Sequence, residues 1–79
     1  MSGRFTNKQG QYLAFIYAYT KVNRRPPAEA DMQGYFGVTP PTVHNMILTL
    51  ERLALITREP GQPRSIRLIV TPAELPILE

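Results

Sequence analysis

The sequence contains no cysteine, no tryptophan and a single histidine, and these absences exclude several kinds of site at once. Without cysteine, neither a disulfide framework nor a cysteine-based zinc site can form. The lone His44 has no second histidine with which to share a metal ion. No apolar run approaches the roughly 20 residues that a membrane helix needs, and the N-terminus lacks the apolar segment of a secretory signal peptide. We therefore expect a cytoplasmic protein that holds neither a metal nor a cofactor.

The residue patterns of enzymes are also missing. The carboxylates are scattered along the chain without forming a pair, and no glycine-rich phosphate loop is present. Ser2 and Ser65 have no histidine and acid in a register typical of a nucleophile. At 79 residues, the chain makes one small domain, which cannot easily enclose a deep pocket. We predict no catalytic residues and no enzymatic activity.

The charge balance is basic: nine lysines and arginines face six acids, which gives a net charge of +3. Most of the basic residues are arginine, whose guanidinium group pairs bidentately with phosphate and with the edge of guanine. This charge favours a nucleic-acid partner only weakly, because many domains with neutral partners carry as much. The stronger argument comes from the order of the secondary structure elements.

Three helices are predicted from capping signals and apolar spacing. The first spans about residues 6–22, where Thr6 and Gln9 form a capping box. The second spans residues 29–36, with acids in its first turn and Gly37 at its C-cap. The third spans residues 39–53 and begins at the N-cap Thr39, followed by prolines that suit a first turn. The residues predicted to face inward are Tyr12, Leu13, Phe15, Ile16 and Tyr19 in the first helix, Ala30, Met32 and Phe36 in the second, and Val43, Met46, Ile47, Leu50 and Leu53 in the third.

Two β-prone segments, residues 55–59 and 65–70, flank a Pro/Gly-rich stretch and are predicted to form a hairpin. A two-turn helix, a short turn and a longer helix make a helix-turn-helix, and the hairpin after it makes a wing. The predicted fold is mainly α (α+β): a winged helix-turn-helix of three helices and a two-stranded hairpin. It occupies residues 5–70, and residues 71–79 form a C-terminal tail that we expect outside the core.

The outward face of the third helix is the main candidate site, because such a helix fits the major groove of DNA. Thr42, His44 and Asn45 lie on this face. Asparagine can pair bidentately with adenine, and threonine can contact the thymine methyl group. The first two turns carry no acid that would repel phosphate. An ordinary solvated polar face is the alternative interpretation.

Basic and polar side chains near this helix are candidates for contacts with the DNA backbone. Arginines on a wing can follow the backbone or enter the minor groove, although charges on edge strands also serve to prevent aggregation. For Arg67, solvent or an ion pair is an equal alternative to DNA. The predicted backbone or wing contacts are Arg24, Arg25, Thr49, Arg52, Arg58, Gln62 and Arg64.

Residues 5–69 resemble the N-terminal DNA-binding domain of LexA-type SOS repressors. The resemblance is carried by the order and spacing of Thr6-Asn7-Lys8-Gln9, Arg25-Pro26-Pro27, Phe36-Gly37-Val38, Leu50-Glu51-Arg52-Leu53, Leu55-Ile56-Thr57-Arg58 and Pro63-Arg64-Ser65-Ile66-Arg67-Leu68. It implies a bacterial transcriptional regulator, usually a repressor, that binds inverted repeats in double-stranded DNA, with a homodimer on the DNA. By position, it implies base contacts from Thr39, Pro41, Thr42, His44 and Asn45.

The chain departs from the family pattern in several places. Pro41 stands where a polar residue is common, and the turn before the third helix is a residue shorter than in many relatives. Ala54 stands where glycine is usual, so we expect strain or a different cap there. The family's protease and dimerisation domain is absent from these 79 residues, so the chain is expected to be a fragment or a stand-alone relative.

A second function is compatible with the same fold. A winged helix can bind a protein through exposed apolar side chains. Tyr17, Tyr35 and Leu48 are the residues that would form such a patch.

Overall fold

Three helices, a two-stranded sheet and a final 3-10 turn follow one another along residues 4–79, the part of the chain that the computed structural model describes. The elements are α1 (Asn7–Asn23), α2 (Glu29–Phe36), α3 (Pro40–Arg52), β1 (Ile56–Thr57), β2 (Arg67–Leu68) and the 3-10 turn Pro72–Glu74. The predicted winged helix-turn-helix is confirmed. No described helix combines the length and the apolar character that crossing a membrane requires.

Helix α1 begins at the predicted capping box. The backbone N–H of Gln9 donates to the Thr6 hydroxyl at 3.1 Å, and the Gln9 side-chain oxygen accepts from the Thr6 N–H at 2.9 Å. These bonds satisfy two N–H groups that a helix start otherwise leaves unpaired. The helix ends at Arg24, which adopts the left-handed conformation, before the two prolines that exclude a further turn.

Helices α2 and α3 form the helix-turn-helix. The Ala28 N–H donates to the Asp31 carboxylate at 2.8 Å, so that Asp31 caps α2 although alanine itself cannot. Gly37 ends α2 with a φ of +66°, a conformation that glycine adopts without steric cost. Thr39 is the N-cap of α3, as predicted, but its hydroxyl accepts no backbone N–H.

The hairpin is antiparallel, with Ile56 opposite Leu68 and Thr57 opposite Arg67. The ladder is only two residues long on each side, which is shorter than the predicted strands. The shortening has a local cause: Ser65 lies at the start of the predicted second strand, but its hydroxyl bonds to the backbone of the connecting loop. The wing is therefore mostly loop.

The core is formed by side chains from all three helices and the hairpin. Its fully buried members include Tyr12, Leu13, Ile16, Met32, Val43, Ile47, Leu50, Leu55 and Ile56. Tyr12 stacks on Phe36 with ring centroids 4.1 Å apart, which joins α1 to α2. Burial raises the pKa of Tyr12 above its ordinary value. Most of the predicted inward-facing residues are therefore confirmed.

Two predicted inward residues are wrong, since Ala30 and Leu53 are exposed. Ala30 is two positions before Met32, about 200° around a helix, so the two cannot share one face. Leu53 follows the last helical residue of α3, and the apolar stripe stops there because the chain changes direction. Leu55, 1% exposed, takes its place in the core.

Residues 71–79, predicted as a tail outside the core, pack against the core, although none of them is fully buried. Leu75 and Leu78 contact the core cluster. The Gln11 side chain donates to the Ile77 carbonyl at 2.9 Å and accepts from the Glu79 N–H at 2.8 Å. Prolines do not prevent this docking, because an extended segment can pack through side chains and carbonyls without forming a helix or strand.

Candidate nucleic-acid interface

The outward surface of α3 follows directly from its apolar stripe. Val43, Ile47 and Leu50 are completely buried, which turns the residues between them toward solvent at 100° per residue. The predicted base-reading residues Thr39, Pro41, Thr42, His44 and Asn45 are all exposed and share the N-terminal half of this helix. Structure and sequence thus place the same side chains on one accessible surface.

Hydrogen bonds order part of this surface and leave one amide free. The hydroxyls of Thr39 and Thr42 lie 2.9 Å apart, and the Thr49 hydroxyl donates to the Asn45 carbonyl at 2.9 Å. The Asn45 side-chain amide has no hydrogen-bond partner among residues 4–79. Its two donors and its acceptor oxygen are available to an external group.

A carboxylate from another helix reaches this surface. Although the first turns of α3 contain no acid, Glu29 of α2 lies 3.2 Å from the Nδ1 of His44. The sequence could not indicate this pair, because it depends on how α2 crosses α3. When Nδ1 donates to Glu29, the Nε2 on the other side of the His44 ring does not take part in this contact. One ring nitrogen is therefore left for an external partner.

The wing contributes the exposed Gln62 and two arginines with partners inside the domain. Arg58 contacts Glu51 of α3 at 3.1 Å. Arg64 contacts Asp31 at 3.1 Å and the Tyr19 hydroxyl at 3.0 Å. The hydrogen bond to Tyr19 raises the pKa of Arg64 further above its ordinary value, so the guanidinium is charged at any relevant pH.

The remaining predicted cations are exposed and lack carboxylate partners in the described part of the chain. Arg52 lies in the last turn of α3, whereas Arg24 and Arg25 follow α1. These two arginines line a groove between α1 and β2 together with Lys21 and Arg67. Sequence reasoning did not assign Lys21, because a basic residue in a last helical turn is explained by the helix dipole alone.

Other kinds of site find less support in the geometry. Within residues 4–79, no group of three histidine, aspartate or glutamate side chains is arranged to hold a metal ion. The apolar residues considered for a protein interface are dispersed: Tyr17 lines the groove beside β2, whereas Tyr35 contacts the end of the tail. Leu48 is 39% exposed on α3.

Comparison with known proteins agrees with this geometry. Residues 2–65 match the family described as the LexA DNA binding domain. The chain belongs to this family. Its match covers most of the 79 residues, including α1, the helix-turn-helix and the wing loop.

Several full-length relatives are LexA repressors. The chain is 38% identical over 72 residues to the LexA repressor of Thermosipho africanus. This matched region covers 91% of this chain and 36% of that protein. It is 36% identical over 66 residues to that of Thermosipho melanesiensis (84% of this chain, 33% of the relative) and 32% identical over 74 residues to that of Limosilactobacillus fermentum (92% and 35%). The chain thus spans about a third of the length of these relatives, and the matched family is a DNA-binding rather than a catalytic domain.

Proposed function

We propose that this domain binds double-stranded DNA sequence-specifically through α3 and represses transcription. The observation that carries the proposal is the exposed N-terminal half of α3, on which the amide of Asn45 has no partner among the described residues. An amide in this position can pair with the N6 and N7 atoms of adenine in the major groove. Membership of the LexA family supports the repressor role and a site of action at the bacterial chromosome, in the cytoplasm.

The base contacts are assigned to the exposed surface of α3. Thr39, Pro41, Thr42, His44 and Asn45 lie where the first turns of a recognition helix meet base edges. The Glu29 carboxylate limits how closely a phosphate can approach His44. We therefore assign His44 to a base edge and not to the backbone.

Contacts with phosphates are assigned to residues around α3. Arg24, Arg25 and Arg52 are exposed cations without carboxylate partners in residues 4–79, and Thr49 and Gln62 offer neutral donors. Arg58 is paired with Glu51, which partly neutralises its charge. The complete set is Arg24, Arg25, Thr49, Arg52, Arg58 and Gln62. Arg64 differs from these residues because its guanidinium is engaged within the domain.

We further propose that two copies bind an inverted repeat. One module of this kind covers only about 600–1,000 Å² on DNA, which gives weak binding by itself. Half-sites on one face of the duplex are separated by about 34–36 Å or a multiple. The backbone of the domain spans 32 × 25 × 24 Å, and its two shorter dimensions leave room for copies on half-sites this far apart.

The test begins with selection of a preferred duplex from a random pool, followed by binding measurements with the Asn45→Ala variant. We expect Asn45→Ala to weaken binding to the selected duplex by about fivefold or more, since one bidentate base contact contributes about 1–3 kcal/mol of discrimination. Binding to random duplex should change little. Asn7→Ala, at an exposed asparagine of α1, is the matched control.

Two results would contradict the proposal. If the wild-type domain selects no sequence, specific binding is excluded for the domain by itself. If Asn45→Ala weakens selected and random duplexes equally, Asn45 does not read a base.

A further inference from the structure

The side chain of Arg64 joins the wing to the helical part of the domain. Its Nη1 lies 3.0 Å from the Tyr19 hydroxyl, 3.1 Å from Asp31 and 3.3 Å from the carbonyl of Pro26. The guanidinium also lies beside the ring of Tyr19, 5.9 Å from its centroid. One wing residue thus contacts α1, the start of α2 and the segment between them.

The loop of the wing is tied together internally by Ser65. Its hydroxyl accepts from the Glu59 N–H at 2.9 Å and lies 2.8 Å from the Gln62 carbonyl. The Gln62 N–H donates to the Glu59 carbonyl at 3.0 Å, which closes a turn. Because these bonds remain within the loop, they give it a shape but do not orient it relative to α3.

Apart from Arg58, whose side chain contacts Glu51 of α3 at 3.1 Å at the base of the wing, few contacts orient this loop. The β-ladder behind it has only two residue pairs, and a ribbon of that length twists easily. Arg64 is also held at a φ of +58°, in the left-handed region that costs a residue with a side chain about 1–2 kcal/mol. Such a conformation persists only where surrounding contacts determine it, and the three partners of the guanidinium are those contacts.

We propose that Arg64 is a positioning residue: its guanidinium, held by Tyr19 and Asp31, sets the angle of wing residues 59–63 relative to α3. DNA then meets the wing and the recognition helix as one preformed surface. This inference rests on the proposed function, because it assigns the wing a contact with the same duplex. It also replaces the direct DNA contact that the sequence predicted for Arg64.

Removal of a partner of Arg64 separates the two roles. Tyr19→Phe deletes one hydroxyl, keeps the ring and changes no charge. If Arg64 positions the wing, binding to the selected duplex should weaken by about threefold to tenfold, the loss expected for one ordinary hydrogen bond, because Asp31 and the Pro26 carbonyl still hold the guanidinium. If Arg64 itself contacts DNA, a freed guanidinium should leave binding unchanged or strengthen it, and this result would overturn the proposal.

Asp31→Asn provides a second variant, in which the loss of charge and the loss of wing positioning have opposite effects on DNA binding. The asparagine oxygen can still accept from the Ala28 N–H, so that the α2 cap is retained. Loss of a negative charge by itself favours DNA of any sequence. We nevertheless expect the ratio of affinities for selected and random duplex to fall, because Arg64 loses its ion pair and holds the wing less firmly. A ratio that stays constant or rises would contradict the positioning role.

The free protein offers a readout that does not depend on DNA. Backbone order parameters from NMR relaxation should fall at Gly61 and Gln62 in both variants, while those of α3 remain at wild-type values. Tyr17→Phe is the matched control, since the Tyr17 hydroxyl makes no hydrogen bond in the described chain. Unchanged order parameters would refute the positioning role even if DNA binding is confirmed. Absence of specific binding by the wild type would instead refute the proposed function and leave this readout valid.

Discussion

At the scale of single residues, Ala54 shows how one side chain ends a helix at a cost. Ala54 follows α3 and adopts a φ of +60°, a conformation in which its Cβ crowds the backbone. Its N–H donates to the Glu51 carbonyl at 3.0 Å, so the helix end is satisfied but strained. The resemblance to the LexA family predicted strain or a different cap here, because glycine is usual at this position in the family.

We expect Ala54→Gly to stabilise the domain by about 0.5–1 kcal/mol. Glycine avoids the cost of about 1–2 kcal/mol that alanine has in the left-handed conformation. The greater freedom of glycine in the unfolded chain lowers the free energy of unfolding by about 0.4–1 kcal/mol. Urea unfolding monitored by circular dichroism measures the difference. The converse change, Gly37→Ala, should destabilise the domain by about 1 kcal/mol, because Gly37 has a φ of +66°. An added Cβ would meet no atom within 4 Å, so the backbone conformation is the only source of this cost. A decrease in stability for Ala54→Gly would show that the backbone relaxes around alanine.

Residue identity alone did not reveal the partners of the charged side chains. Arg64 and His44 were predicted to face DNA, and the structure places Asp31 beside Arg64 and Glu29 beside His44. Both acids belong to the first turn of α2, where the helix dipole explains them without any partner. Only the packing of α2 against α3 and the wing brings these charges together.

At the scale of elements, capping and apolar spacing determine the helices, whereas the tail depends on a distant surface. Thr6 with Gln9, and Gly37, mark helix ends through local bonds that the sequence displays. Residues 71–79 show no apolar spacing typical of a helix or a strand. They are ordered by contacts with α1, chiefly through Gln11 and the small surface at Gly10.

We expect Gly10→Ala to be less stable than Gly34→Ala by about 1–3 kcal/mol. Both substitutions gain up to about 1 kcal/mol of helix propensity. A Cβ at Gly10, however, would lie 3.0 Å from atoms of Phe5 and Pro76, whereas a Cβ at Gly34 would meet nothing within 4 Å. The extra cost at Gly10 is that of overpacking. Thermal unfolding of the two variants tests the difference, and equal stabilities would mean that the tail is not docked there in solution.

The 3-10 turn of the tail and its contact with Arg4 should also weaken in acid. Glu74 accepts from the Thr71 N–H at 2.9 Å and contacts Arg4, and these bonds lower the pKa of Glu74 below its ordinary value of 4.5. A carboxyl group with a lowered pKa in the folded state stabilises that state above its unfolded pKa. The contribution is lost as the pH falls through the lower, folded value.

An NMR titration of the Thr71 amide therefore should show the change below about pH 4.5. Glu74→Gln removes the titrating group and serves as the control. A Thr71 amide that moves equally in both proteins would indicate a different origin.

At the scale of the whole molecule, stability depends on the central stripe of α3 packing in one core with the other helices and the hairpin. We expect Leu50→Ala to cost about 2–5 kcal/mol, the range for a leucine removed from a closed core. That is a large share of the roughly 5–15 kcal/mol that stabilises a domain. Leu53→Ala should change stability by less than about 0.5 kcal/mol, because Leu53 is 42% exposed. Denaturant midpoints compare the two, and similar losses would place Leu53 in the core as the sequence predicted.

The sequence by itself determined the helices, the caps at Thr6 and Gly37, the presence of a hairpin and the polar outward face of α3. These features follow from interactions between residues a few positions apart, such as Thr6 with Gln9 or the spacing of Val43, Ile47 and Leu50. The tertiary structure decided which charges pair, where residues 71–79 lie and how short the β-ladder is. Those features depend on surfaces that only folding brings together, and their geometry leaves no periodic signal in the chain.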